Sequence, residues 1–323
     1  MKVMRISINK LFLASLLTIL LMPILGRCDG EFRDVIPHQA GLSEYRRVLE
    51  QGISCCTKQE WARAILNLDE AVRIDSSDAT AFRFRGIAYF ASAQLAFAIT
   101  NFDRALALNP RDEDSLFNRA GAYRILKNVG AAIEDLSACI KLNPTNVLAF
   151  KTRAACYSEL GRYEEEIADW THAFRLDRPN AETLVMRGTA FYLAGKPEKA
   201  VRDYRQAIEA DPVAPVGYNA LAWLRATCPI ELHRNGIEAV ANATKACGLS
   251  QWESGAYIDT LAAAYAASGD FANAVKYQSQ ALGTKTSSES ERVEMQGRLL
   301  LYLRNSPFRE SPQKGKASVP NGA

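Results

Sequence analysis

From residue 45 to residue 215 the chain alternates between apolar-periodic, Ala-rich phrases and short polar breaks. The breaks IDSSD (74–78), LNPRD (108–112), LNPTN (142–146), LDRPN (176–180) and ADPVA (210–214) lie 34 residues apart. Ahead of each stands a related phrase: AILNLDEAVRI, AITNFDRALAL, AIEDLSACIKL, EIADWTHAFRL and AVRDYRQAIEA. Further back come FRFRGIAYF, LFNRAGAYR, FKTRAACYS and LVMRGTAFY. Apolar residues three and four apart in both phrases are the mark of helices with one buried face. The spacing therefore predicts two helices per repeat, in registers that start at Tyr45, Ala79, Glu113, Val147 and Ala181.

Within each register small residues stand at the eighth, twentieth and twenty-seventh places, where two helix backbones come close. They are Gly52, Ala64 and Ala71; Gly86, Ala98 and Ala105; Ala120, Ala132 and Cys139; Ala154, Glu166 and Ala173; Gly188, Ala200 and Ala207. Large apolar residues such as Phe82, Tyr89, Leu95 and Phe102 fill the space between helices, and Pro110, Pro144 and Pro212 stop each second helix. Glu166 breaks the pattern, and a locally splayed helix pair is expected there. Length, small places and loop prolines together resemble the tetratricopeptide repeat (TPR). Val216 to Leu249 reads as a sixth unit with five residues inserted between Tyr218 and Ala239, and 256–282 as a seventh. The phrases AWLRATCP and DTLAAAYAASGDFANAV resemble the closing units of exported bacterial TPR proteins. Ser288 and Glu291 form a capping-box pattern for a last helix to about Arg304, whose LLLYL run would cover the end of the array.

The fold class is therefore all-α, and the resemblance implies a right-handed α-solenoid of about seven helix pairs with a C-terminal capping helix. The expected organisation is a signal peptide or anchor over 1–28, a linker over 29–44, the array with its cap over 45–304, and a disordered polar tail over 305–323.

Charge changes the picture only at the N-terminus. The chain has 39 basic and 36 acidic residues, but Lys2, Arg5, Lys10 and Arg27 stand in 1–28 with no acidic residue beside them. Without that segment 35 basic residues face 36 acidic ones, which removes the case for a nucleic-acid partner. The apolar stretch Leu11–Leu25 is shorter than the roughly 20 residues of a membrane span and suits a signal peptide. Three fates remain open: cleavage, lipidation at Cys28, and an uncleaved anchor. The expected location is periplasmic or secreted, with membrane attachment only through that N-terminus.

No catalytic or metal-binding constellation is found. His38, His172 and His233 lack ligand spacing to one another or to paired cysteines, and no nucleotide-binding or hydrolase motif occurs. No catalytic residue, metal or cofactor is assigned. Arg85, Arg119, Arg153 and Arg187 share the seventh place while Asn101, Asp135, Asp169 and Asp203 share the twenty-third, which predicts a ladder of bonds within repeats. Cys228 and Cys247 flank the inserted turn and form a candidate disulfide. Cys139 and Cys156 read as buried thiols.

The resemblance implies that first helices line a concave groove holding a peptide or protein partner. Carried onto this sequence, the groove residues are Arg83, Ile87, Phe90, Phe117, Arg124, Lys151 and Tyr192, a mixture suited to an extended, partly acidic peptide. Aromatics packing only across neighbouring first helices is the competing reading. Ile87, Gly121 and Ala155 replace the asparagine with which some TPR domains clamp a C-terminal carboxylate, which argues against chaperone tails. The function expected is a non-catalytic interaction scaffold. A self-associating envelope component, or an exported enzyme or sugar-binding module, stands as the alternative.

Overall fold

The computed structural model describes residues 40–177, 180–284 and 288–311. The signal, anchor and lipidation readings of 1–28 lie outside the described residues, as does the tail from Pro312 onward. Among the described residues there are fifteen α-helices, one 3₁₀ turn and no strand, in two compact units that divide after Leu160.

In the N-terminal unit α1 (Ala40–Thr57) pairs with α2 (Trp61–Ile74), α3 (Ala79–Ala91) with α4 (Leu95–Leu108), and α5 (Glu113–Ile125) with α6 (Val129–Leu142), followed by α7 (Val147–Leu160). Helix α1 begins at Ala40, so the last five residues read as linker are helical. The starts of α3, α5 and α7 coincide with the registers set by the repeat. Asp78 caps α3 through Thr80 N, and Asn128 caps α6 through Ala131 N, each satisfying an amide that the helix leaves open.

The C-terminal unit opens with α8 (Tyr163–Leu176), then pairs α9 (Ala181–Leu193) with α10 (Pro197–Ala210), α11 (Pro215–Thr227) with α12 (Gly236–Leu249), and α13 (Gly255–Ala267) with α14 (Phe271–Gly283). The capping helix α15 (Glu289–Tyr302) packs on α13 and α14 and starts with the expected capping box. The inserted turn between α11 and α12 contains a 3₁₀ turn, Glu231–His233. Its carbonyls are not left bare: Arg225 donates to His233 O at 3.0 Å, and Arg234 to Cys228 O and Pro229 O at 3.1 Å.

First helices also pack on one another in both units: α1 on α3 and α3 on α5, then α9 on α11 and α11 on α13. Second helices do not approach one another to the same extent. The small places let the pairs close. Ala64, Ala98, Ala132 and Ala200 are fully buried. A Cβ at Gly86 would stand 2.6 Å from Phe102, and one at Gly188 would stand 2.6 Å from Tyr204. Both glycines are needed for close approach, not for unusual backbone angles.

The Arg ladder forms inside both units. Arg119 grips Asp135 with two bonds of 2.8 and 2.6 Å, Arg187 grips Asp203 with bonds of 2.7 and 2.8 Å, and Arg85 donates to Asn101 at 2.7 Å. Each arginine of the N-terminal unit also reaches the twenty-fifth place of the repeat before it: Arg85 to Asp69 at 2.8 Å, Arg119 to Asp103 at 2.6 Å, Arg153 to Ser137 at 2.9 Å. One guanidinium thus ties two helices of its own repeat and a third from its neighbour. Arg153 and Asp169 belong to different units, so the ladder is followed only within each. Asp203→Ala strands Arg187, whose side chain is 12% exposed, and is expected to cost about 2–3 kcal/mol in urea unfolding. An unchanged unfolding midpoint would remove the ladder from the account. Glu166, the carboxylate at a small place, is buried and accepts a 3.4 Å bond from the Trp170 indole.

Candidate functional site

The groove residues of the N-terminal unit are placed on α3, α5 and α7, but most are already engaged. Arg83 donates to Asp112 at 3.1 Å and to Asp114 at 3.4 Å, both near the start of α5. Arg124 is buried and donates to Glu159 on α7 at 2.7 Å. Neither guanidinium is a bare cation awaiting an acidic ligand, because the neighbouring repeat supplies its carboxylate. Ile87 and Phe90 are buried in one apolar cluster with Phe84, Ala88 and Ala122. These two residues follow the competing reading, packing across first helices. Phe117 and Lys151 are half-buried, and Phe117 packs against the apolar cluster that holds Leu116 and Leu136.

In the C-terminal unit Tyr192 on α9 is buried, and Thr189, one turn before it, bonds Val185 O at 2.8 Å and the Tyr204 hydroxyl at 3.1 Å. On α11 the corresponding face carries Trp223, which the groove reading omitted. It stands at the ninth place when the register starts at Pro215, the first residue of α11, so the same rule would have found it. Its indole donates to Glu310 Oε1 at 2.8 Å. Residues 306–310, read as part of a disordered tail, are therefore packed against this face. Burial, with the Glu310 carboxylate nearby, pushes the Tyr192 hydroxyl pKa well up.

Two family profiles match in sequence: anaphase-promoting complex (cyclosome) subunit 3 over residues 91–169, and the tetratricopeptide repeat over residues 181–213. A TPR protein from Parabacteroides merdae shares the fold at a TM-score of 0.60 and 17% identity, over 81% of this chain and 99% of that one. The chain is a tetratricopeptide-repeat protein. The MamA protein matches at a TM-score of 0.50 and 18% identity, over 53% of this chain and 93% of that one. YrrB, described as a TPR protein with an unusual peptide-binding site, matches at 0.50 and 20%, over 56% of this chain and 97% of that one. No curated protein matches in sequence.

Cys228 and Cys247, the candidate disulfide pair, stand as separate buried thiols in this structure. Cys228 caps α11 and lies by the Tyr192 hydroxyl, whereas Cys247 lies on α12 by Tyr257. Burial raises both thiol pKa values, that of Cys247 to about 12. Unfolded thiols ionise near 8.5. As pH rises past that point the unfolded state loses protons first, so stability present at neutral pH should decline in alkaline solution. Native alkylation at pH 8 is expected to label half-buried Cys55 first and to spare Cys228 and Cys247 until the chain is denatured. Peptide mass mapping checks this, and a mass change on reduction alone would restore the bridge. Among the described residues no cluster of three metal-ligating side chains occurs, and no helix is long and apolar enough to cross a membrane.

Proposed function

We propose that this TPR protein is a non-catalytic scaffold that holds an extended peptide or protein segment on the face of its first helices, and that it acts outside the cytoplasm. The observation that carries the reading is the closer approach of first helices than of second helices within each unit. That asymmetry makes the first-helix side the inner side of a curved stack, where one segment can touch several repeats at once. The peptide-binding site named for YrrB lends support by shared fold. The export half of the proposal rests on the cationic start and apolar stretch of 1–28. Any attachment to a membrane would run through that segment.

An acidic partner would have to exchange its carboxylates for Asp112, Asp114 and Glu159 at Arg83 and Arg124. Apolar contact therefore outweighs charge in this reading, and the half-exposed part of Phe117 is its anchor. Phe117→Ala is expected to weaken capture of the partner by the full chain about tenfold, a loss of about 1.4 kcal/mol, in a variant that circular dichroism still shows folded. Normal capture by that variant would overturn the site. Light scattering on the same material tests the rival: growth of a homo-oligomer with concentration would favour self-association.

A further inference from the structure

After α15 the chain does not leave the array. Asn305 adopts a left-handed conformation (φ 53°), with its amide on Tyr302 O and the Ser306 amide on Leu301 O, both at 3.0 Å. This closes the helix and reverses the chain. Residues 306–310 then lie along the end of α11. Phe308 packs against Trp223 at 6.0 Å between ring centroids, and Arg298 lies over both rings at 5.6 and 5.5 Å. Arg309 donates to Ala226 O and the Glu310 amide to Thr227 O, both at 2.9 Å. These carbonyls belong to the last turn of α11, which Cys228 caps, and they need donors from outside the helix. The Glu310 carboxylate is buried and takes the Trp223 indole. A main-chain bond, an aromatic contact and a carboxylate on an indole donor, supplied by an extended segment, are the elements of a peptide complex.

We propose that the first-helix face at Trp223 is a peptide site that recognises an aromatic residue followed two positions later by a carboxylate, and that this chain's own Phe308-Arg309-Glu310 occupies it as a built-in competitor. The proposal rests on the scaffold reading and narrows it: a partner using this face must carry the same chemistry and displace the tail. A tether holds the tail at an effective concentration in the millimolar range. Against an intrinsic affinity on the order of 100 µM, self-occupation lowers apparent affinity about tenfold.

The probe is a fluorescent peptide of the chain's own sequence NSPFRESP, added to the full chain and to its Phe308→Ala/Glu310→Gln variant. The variant is expected to bind the peptide about tenfold more tightly than the unaltered chain. Binding should move the Trp223 indole N–H resonance of the variant back toward its position in the unaltered chain, and the peptide with the same two changes should not bind. Equal binding by both chains, or none by a variant whose circular dichroism and Tm show it folded, would overturn the proposal and leave the tail as a cap. Should that variant unfold, Glu310→Gln alone, which keeps Phe308 in place, must still show tighter peptide binding or the proposal fails. The Phe117→Ala capture test is independent. Loss of capture there with no peptide effect here would keep the scaffold and remove the built-in competitor.

Discussion

Asp259→Ala is expected to lower the stability of the C-terminal unit by about 3–5 kcal/mol, the cost of leaving a buried charge without its partner. Asp259 and Arg298 are 2% and 3% exposed and are joined by bonds of 2.8 and 2.9 Å. Gln278 adds a third bond to the same carboxylate at 2.7 Å. The substitution strands the Arg298 guanidinium and leaves the buried Gln278 amide with only its 3.2 Å bond to Met295 O. Replacing both ends with apolar residues of similar volume, Asp259→Leu with Arg298→Met, should recover most of the loss. Urea unfolding followed by circular dichroism measures both. A single variant as stable as the parent would show that water reaches Arg298, and that α15 does not seal the array as described.

Tyr204→Ala is expected to cost about 3–5 kcal/mol, as for other large buried aromatics. Tyr204 is fully buried, fills the space opposite Gly188 and shares a hydrogen bond with Thr189. The converse change, Gly188→Ala, places a methyl 2.6 Å from the ring and should cost about 1–3 kcal/mol. Because the two residues touch, their effects should not add. Gly188→Ala combined with Tyr204→Leu should lose less than the sum of the single changes. Strict additivity in the measured urea midpoints would mean that the eighth and twenty-fourth places do not pack together.

The repeat was legible because its signals are local and periodic. A small residue at the eighth place and a large one sixteen residues later are the two sides of one contact, as Gly86 with Phe102 and Gly188 with Tyr204 show. The helix starts at Ala79, Glu113, Val147 and Ala181 follow from the same spacing. The ladder was legible for a related reason, since two places that change together, such as Arg187 and Asp203, touch. The groove was less so. Place alone says which way a side chain faces but not whether a neighbour has already satisfied it. Arg83 and Arg124 find their carboxylates 29 and 35 residues ahead, close to one repeat length, so looking one repeat on would have paired them. The tail was not legible. Its polar, Pro-containing composition carries no period, and its order comes from Glu310 meeting Trp223 across 87 residues of chain.

The central claim is that partners meet the first helices. Its most direct test places a photo-crosslinking amino acid, one site at a time, on first helices at Phe117 and Lys151 and on second helices at Glu134 and Lys141, in the full chain. Crosslinks to another protein are expected from the two first-helix sites and none from the two second-helix sites. Crosslinks confined to Glu134 and Lys141 would contradict it.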